Sequence, residues 1–433
     1  MKKLINYINH KVLVKVGPLQ SASVLTNVIA GILVSKAMAI FIGPVGLALV
    51  GNLRNFVSSF QTIATLGFYN GVVKYVSKFK DDVSELSKTL STVFYVGFIS
   101  TILVSFFCYF NADLINDIIF PSYSTYAYII KVFAIVLPFY ALNMFSFSIM
   151  NGFSKYKILI IINIIGQILG VSIALLLIYQ EKIDGALISV VIAEAIIFLI
   201  TLVGIINRRS LVSYISVASV SIKFFKKMSP YSLMALFSAV IIPLVALAIR
   251  SHIIETIGYK DAGFWEAMTR ISKYYLMFVS SLMALYILPR FSEIEEKKEF
   301  KKEVFNFYKT VMPILAIGLF VIYLLKPFVV AIIFTKEFSP VEDLFLWQLL
   351  GDFIKVLSMV IAYQFLAKKM FWHYILTEAF LVVILYITSI YFIDLYKSAQ
   401  GAVIAHCVSY SMYFSIILLI FGSSLFGVDS EKE

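Results

Sequence analysis

Apolar residues fill this chain in runs of 18 or more, broken by short clusters of Lys, Arg, Asp, Gly and Pro. A run of that length, wound as a helix, matches the hydrocarbon thickness of a bilayer. In lipid every backbone N–H and C=O has to bond within its own segment, so such runs are helices. A membrane barrel would instead alternate in segments of about 10 residues, a pattern absent here. The runs define twelve spans near 16–41, 46–77, 89–110, 124–150, 156–179, 185–206, 229–250, 262–289, 304–326, 342–366, 371–393 and 399–422. Gly43-Pro44 and Pro121 mark turns between them. The connection 207–228 is the longest and most basic, and reads as a linker with the pattern of an amphipathic surface helix. The expected fold is therefore all-α and polytopic. A six-helix half over 1–206, the cytoplasmic linker 207–228 and a second six-helix half over 229–433 make it up.

Composition and charge sharpen that picture. Of 433 residues, 61% are hydrophobic and 14% charged, against roughly 25% charged in soluble domains. The net charge of +11 does not call for nucleic acid, because the basic residues collect in loops, where they set membrane topology. With both termini cytoplasmic, 22 Lys and Arg fall on the inner side, and only Lys182, Lys260, Lys336 and Lys397 on the outer. That bias predicts a multi-pass membrane protein with an even number of spans. The basic start MKKLINYINHKVLVK lacks an apolar core and a small-residue cleavage site, and is read as a retained interfacial segment. Short outer loops leave no room for a soluble catalytic domain.

Shifting the sequence by 216 residues superposes Arg54 on Arg270, Lys74 on Arg290 and Gly185 on Gly401. Two six-helix halves in parallel orientation follow, and repeats of that kind place substrate near the midplane. An ionisable group at bilayer depth costs roughly 2.5–3.5 kcal/mol and therefore faces a cavity or a partner. The basic set within the spans is Lys36, Arg54, Lys74, Lys131, Arg270, Lys273 and Lys355; the acidic set is Glu194, Glu266, Asp352 and Glu378. Lys74, Arg250, Lys309 and Lys326 lie near span ends, where snorkelling to the interface accounts for them. Glu266, Arg270 and Lys273 share one helix face, as do Gln348, Asp352 and Lys355. An internal Asp352–Lys355 pair reads first as a structural salt bridge, and second as a gate or ion-coupling element. The excess of positive charge suits a diphosphate head group better than a cationic drug.

No cofactor is expected. There is no Walker sequence, so ATP is not used directly. His10, His252, His373 and His406 are scattered and argue no metal site, while Cys108 and Cys407 sit in apolar runs and read as packing residues. A proton or sodium gradient, or the membrane potential, is the expected drive, with Asp352, Glu378 and Glu194 as coupling candidates.

Several stretches look familiar beyond this. LVSKAMAIFIGPVGLALVGNLRNF (33–56), NGVVKYVSKF (70–79), AGFWEAMTRISKYYLMFVSSLMALYILPRFSEI (262–294) and FTKEFSPVEDLFLWQLLGDFIKV (334–356) carry the likeness. The chain resembles the oligosaccharide-lipid flippases of the multidrug/oligosaccharidyl-lipid/polysaccharide exporter superfamily, the translocases of O-antigen units and of the enterobacterial common antigen lipid. The resemblance implies a V-shaped bundle of two six-helix halves working by alternating access. It implies an undecaprenyl-diphosphate-linked oligosaccharide as substrate, moved from the cytoplasmic to the periplasmic leaflet. A polysaccharide polymerase and a chain-length regulator are the partners it implies, alongside membrane lipids. It carries Lys36, Arg54, Lys74, Asp352, Lys355 and Glu378 over as matching positions; Lys273 departs, since an acidic residue is expected there, and Arg290 follows Pro289 where common-antigen members need not be basic. On this basis the cationic cavity comprises Lys36, Arg54, Lys74, Arg270, Lys273 and Arg290, with Arg54 and Arg270 clamping the diphosphate. Asp352, Lys355, Glu378, Glu194 and Glu266 are the coupling or gating set. A drug antiporter, a peptidoglycan-precursor flippase and a membrane glycosyltransferase are the competing readings.

Overall fold

The computed structural model describes residues 2–206 and 214–426. Arg208, Arg209 and the rest of 207–213, like Lys432, lie outside the described residues. Among the described residues there is no strand. The chain divides into two compact units, Met1–Ile42 with Leu49–Leu244, and Gly43–Ala48 with Val245–Glu433.

The first unit is built from α1 (Lys2–Phe41), α2 (Gly43–Ala64) beyond its first turn, α3 (Tyr69–Phe79), α4 (Val83–Phe110), α5 (Ala112–Ile119), α6 (Ala127–Gly152), α7 (Tyr156–Ile206) and the start of α8 (Ile222–Thr256). At 40 residues α1 is about 60 Å long, twice the hydrocarbon core, and its apolar stretch is Leu19–Phe41. The segment expected to lie at the interface is thus continuous with the first span. Phe68, Val72 and Val76 pack against Leu86, Leu90 and Val93 of α4 and Phe145 and Ile149 of α6. Asn52 on α2 donates to the Ile119 carbonyl at 2.8 Å, fixing α5 beside it. Within the described part of the linker, 222–228 is helical and begins α8, whereas 214–221 is not a surface helix. Residues 214–221 run along α4, where Ser87 Oγ donates to the Tyr214 carbonyl at 2.7 Å and the Ser216 and Ser221 amides donate to Ser91 Oγ and Thr92 Oγ1, each at 2.9 Å. Hydroxyls on a helix face satisfy those backbone groups without helix formation.

The second unit holds the rest of α8, α9 (Tyr259–Leu282), α10 (Leu288–Glu293), α11 (Lys297–Leu324), α12 (Lys326–Ile333), α13 (Phe345–Ala367), α14 (Phe371–Tyr396) and α15 (Gln400–Leu425). Its main core gathers Val279, Met283 and Phe291 with Val356, Val360 and Phe365 of α13 and Tyr413, Ile417 and Phe421 of α15. A widened turn, Met283–Ile287, joins α9 to α10 just before Pro289. Proline removes one N–H from the helical ladder, and a wider turn absorbs the mismatch. The first turn of α2 belongs here because a Cβ at Gly263 would lie 2.0 Å from the Pro44 carbonyl oxygen, so only glycine lets α9 come so close.

Among the described residues, nine helical stretches are long and apolar enough to cross a membrane. One of them, Tyr156–Gly204, is 49 residues long and breaks its helical backbone at Lys182, φ 49°. It is two arms of one hairpin, the fifth and sixth expected spans. The second and eighth expected spans are α2 and α9, whose apolar runs are interrupted by Asn52, Arg54, Asn55 and Gln61, and by Glu266, Arg270 and Lys273. Among the described residues twelve helical passes result, with apolar side chains such as Phe110 and Leu419 turned outward, 75% and 82% exposed, as suits a lipid surround.

The 216-residue repeat has a counterpart in two hairpins. Lys182 in α7 and Lys397 between α14 and α15 both take positive φ, 49° and 48°. Each is followed by a glycine against the preceding arm: a Cβ at Gly185 would sit 1.9 Å from the Leu177 carbonyl oxygen, and one at Gly401 2.4 Å from that of Phe392. Backbone cannot retreat as a side chain does. Gly185→Val and Gly401→Val are therefore each expected to destabilise by more than the roughly 1–3 kcal/mol of ordinary overpacking. Size-exclusion profiles in detergent check this; a monodisperse wild-type yield for both would refute the close-contact reading.

Candidate functional site

The first unit encloses a cavity of about 280 Å³ between α1, α2 and both arms of α7. Arg54, Ser58 and Gln61 of α2 line one side; Gln167, Ser189 and Glu194 of α7 line the other. These positions on α2 recur at steps of three and four, so they share a helix face. Arg54 is exposed into it. Glu194 is half-buried and accepts from Asn143 Nδ2 at 3.3 Å, and Asn143 in turn accepts from Thr201 Oγ1 at 2.7 Å. A guanidinium, a carboxylate and two amides thus border one wet space, with Glu194 oriented from α6. Lys36 is half-buried on α1 outside this lining, and Lys74 is exposed on α3.

Charges in the second unit are arranged differently from the sequence expectation. Arg270, read as half of a diphosphate clamp, is 2% exposed, and its Nε donates to Glu266 Oε1 at 2.9 Å. Glu266 Oε2 accepts from Arg250 Nη2 at 2.5 Å. Arg250 is itself 1% exposed and lies 5.1 Å from the Trp265 ring, so it does not snorkel. The reason is helix packing: α8 brings Arg250 against the face of α9 that carries Glu266 and Arg270. Buried charge survives only when paired and hydrogen-bonded, and Glu266 serves both arginines. Arg270 and Glu266 are accordingly moved from the cavity and gating sets to a buried structural triad. Arg290 is held by Glu303 at 3.3 Å and Glu293 at 3.9 Å, where α10 meets α11, so it too is committed to an ion pair. Lys273 is exposed on α9.

Asp352 is wholly buried and is the centre of a polar network across three helices. Its Oδ2 accepts from Ser272 Oγ at 2.5 Å, from the Tyr275 hydroxyl and from Gln348 Nε2 at 3.2 Å; its Oδ1 meets His406 Nε2 at 3.0 Å. A close crossing of α13 and α15 makes this possible, since a Cβ at Gly351 would lie 3.0 Å from the Cys407 Cα. Lys355 sits 5.3 Å from the Tyr410 ring rather than serving as the main partner of Asp352. Tyr410 packs its ring against His406, and Tyr413 donates to Glu378 Oε1 at 3.4 Å. The simple Asp352–Lys355 bridge is thus replaced by a relay reaching from α9 to α14. Sequence reasoning missed His406, Tyr275, Tyr410 and Tyr413. The signal for three of them was present: His406, Tyr410 and Tyr413 recur at i, i+4, i+7, a polar stripe on an otherwise apolar helix. Both cysteines are buried and free, and among the described residues no three His, Cys, Asp or Glu gather as a metal site.

Long apolar helices carrying buried polar networks define a multi-pass membrane protein. The chain belongs to the polysaccharide biosynthesis protein family, whose model matches residues 37–343. It is 28% identical to the lipid III flippase of Escherichia coli (strain K12) over 404 residues, covering 93% of this chain and 96% of that one. The lipid III flippase of Shigella flexneri matches equally, at 28% over 404 residues. Among solved structures, an inward-facing multidrug resistance transporter of the MOP superfamily aligns with TM-score 0.70 and 14% identity over 93% of this chain and 95% of that chain. A lipid II flippase in an inward closed conformation aligns with TM-score 0.70 and 15% identity over 94% of this chain and 87% of that chain. The fold is that of the MOP superfamily. Family and relatives make the chain a membrane transporter rather than an enzyme.

Proposed function

We propose that this chain is a flippase that moves an undecaprenyl-diphosphate-linked oligosaccharide from the cytoplasmic to the periplasmic leaflet of the bacterial inner membrane by alternating access, both termini being cytoplasmic. A sugar chain and two phosphates cannot enter hydrocarbon without large desolvation cost, so a polar route through protein has to replace water. The observation that carries the reading is Arg54 bordering a polar cavity between α1, α2 and α7, in a chain aligned end to end with lipid III flippases. A guanidinium holds phosphate through a bidentate fork. Lys36 and Lys74 of the same unit add positive field, while the prenyl tail stays in lipid. Complementation of strains each lacking one defined flippase, scored by surface glycan, tests this; rescue of none would overturn it. Which strain is rescued separates an O-antigen from a common-antigen cargo.

Net movement requires an energy source, and a proton or sodium gradient acting at the buried Asp352 network is the proposed one, with Lys355, Glu378 and Glu194 alongside. A carboxylate enclosed at membrane depth is costly unless it changes occupancy during the cycle or is fully satisfied. Asp352→Asn keeps the shape and removes the charge. It is expected to lower gradient-driven flipping in proteoliposomes by roughly tenfold or more, while flipping without a gradient falls less. Equal sensitivity of the two modes would remove Asp352 from coupling.

A further inference from the structure

The second unit contains a separate cavity of about 270 Å³ that takes no part in the sites above. Its walls come from the start of α9, the junction of α11 and α12, the turn 340–344 before α13, and the α14–α15 hairpin. It lies among three loops that carry little positive charge: Asp261 follows Lys260, Glu342 lies six residues beyond Lys336, and Gln400 lies three beyond Lys397. By charge asymmetry this is the periplasmic end.

The lining is selective in its chemistry. Trp347 offers an indole face, half-buried against the wall. The Tyr323 ring is already covered by the Lys326 ammonium at 5.2 Å, and Phe264 is buried edge-on against Phe338, which leaves Trp347 as the stacking surface. Asp261 accepts from the Ala399 amide at 3.2 Å and so holds the hairpin in place. Glu342 and Asp343 supply acceptors, Gln400 both donates and accepts, and Lys326 donates. Three carboxylates against one ammonium repel a phosphate. An aromatic face beside carboxylates and an amide instead suits a ring whose C–H edge is apolar and whose rim is hydroxyl-rich. The volume is below the roughly 300–1,000 Å³ of drug-sized pockets, which is room for one sugar ring and not for an oligosaccharide.

We infer that this cavity is a carbohydrate subsite that takes a single pyranose ring of the cargo on the periplasmic side, stacked on Trp347. The inference rests on the flippase reading, since only a glycan-bearing cargo brings sugar to this end. It separates two jobs. Arg54 handles the anionic linkage, and the acidic subsite receives the glycan after it has crossed.

Saturation-transfer NMR on the purified full chain in detergent tests this, with glucose, N-acetylglucosamine and its soluble β-linked trimer as probes. Transfer to sugar ring protons is expected for the wild type. Loss of a stacking ring in Trp347→Ala should weaken apparent affinity by roughly two- to tenfold, and Gln400→Ala, at the rim, should weaken it too. Absence of transfer from the wild type to any probe, or identical transfer in wild type and Trp347→Ala, overturns the subsite. The flippase reading has its own test: a wild-type chain that complements a flippase-null strain yet binds no sugar fails the subsite alone, and one that complements no strain fails both.

Discussion

Glu266→Ala is expected to be the most damaging single substitution in the second unit, costing about 3–5 kcal/mol, as when one partner of a buried ion pair is removed. The carboxylate lies between two guanidiniums, at 2.5 Å from Arg250 and 2.9 Å from Arg270. Without it, two like charges remain enclosed, each less than 3% exposed. Each then bears its desolvation cost, and they repel one another across a low-dielectric gap. Membrane abundance and the thermal midpoint in detergent should both fall sharply. Replacing all three members with apolar residues of similar size is expected to recover most of the loss, because such triads often exchange for hydrophobic packing without penalty. An unchanged midpoint for Glu266→Ala would show that the triad is not enclosed.

Arg54→Ala acts on transport instead. A hydrogen bond to a charged group contributes about 1.5–3 kcal/mol, which corresponds to a roughly 10- to 100-fold loss in flipping rate. Because Arg54 is exposed to a cavity, its removal should leave membrane levels near normal. Arg54→Lys should keep part of the activity, retaining the charge but not the planar fork. The measurement is arrival of lipid-linked oligosaccharide in the outer leaflet of proteoliposomes, alongside surface glycan in a complemented strain. Wild-type rates for Arg54→Ala would take the phosphate contact away from this residue.

The contrast between Arg54 and Arg270 shows where sequence reasoning ran out. Both lie inside a span and coincide under the 216-residue shift, so they invite one role. Spacing along α9 correctly puts Glu266 and Arg270 on one face. What that face meets depends on how α8 packs, and Arg250, sixteen residues upstream of Glu266, carries no local sign of it. His406 stayed hidden for a similar reason, being 54 residues from Asp352 and joined to it only where Gly351 lets two helices touch. Spans and hairpins were more legible, because length, hydropathy and turn residues act locally. The helical break at Lys182 falls inside the turn expected between the fifth and sixth spans.

The paired lysine-turn hairpins bear on how the protein is made. In each, the turn is short and the glycine after it seats the second arm directly on the first. Neighbouring arms of that sort complete their mutual contacts as soon as both have left the ribosome. The fifth and sixth passes, and later the eleventh and twelfth, are therefore expected to enter the bilayer as paired arms, before the contacts with more distant segments form.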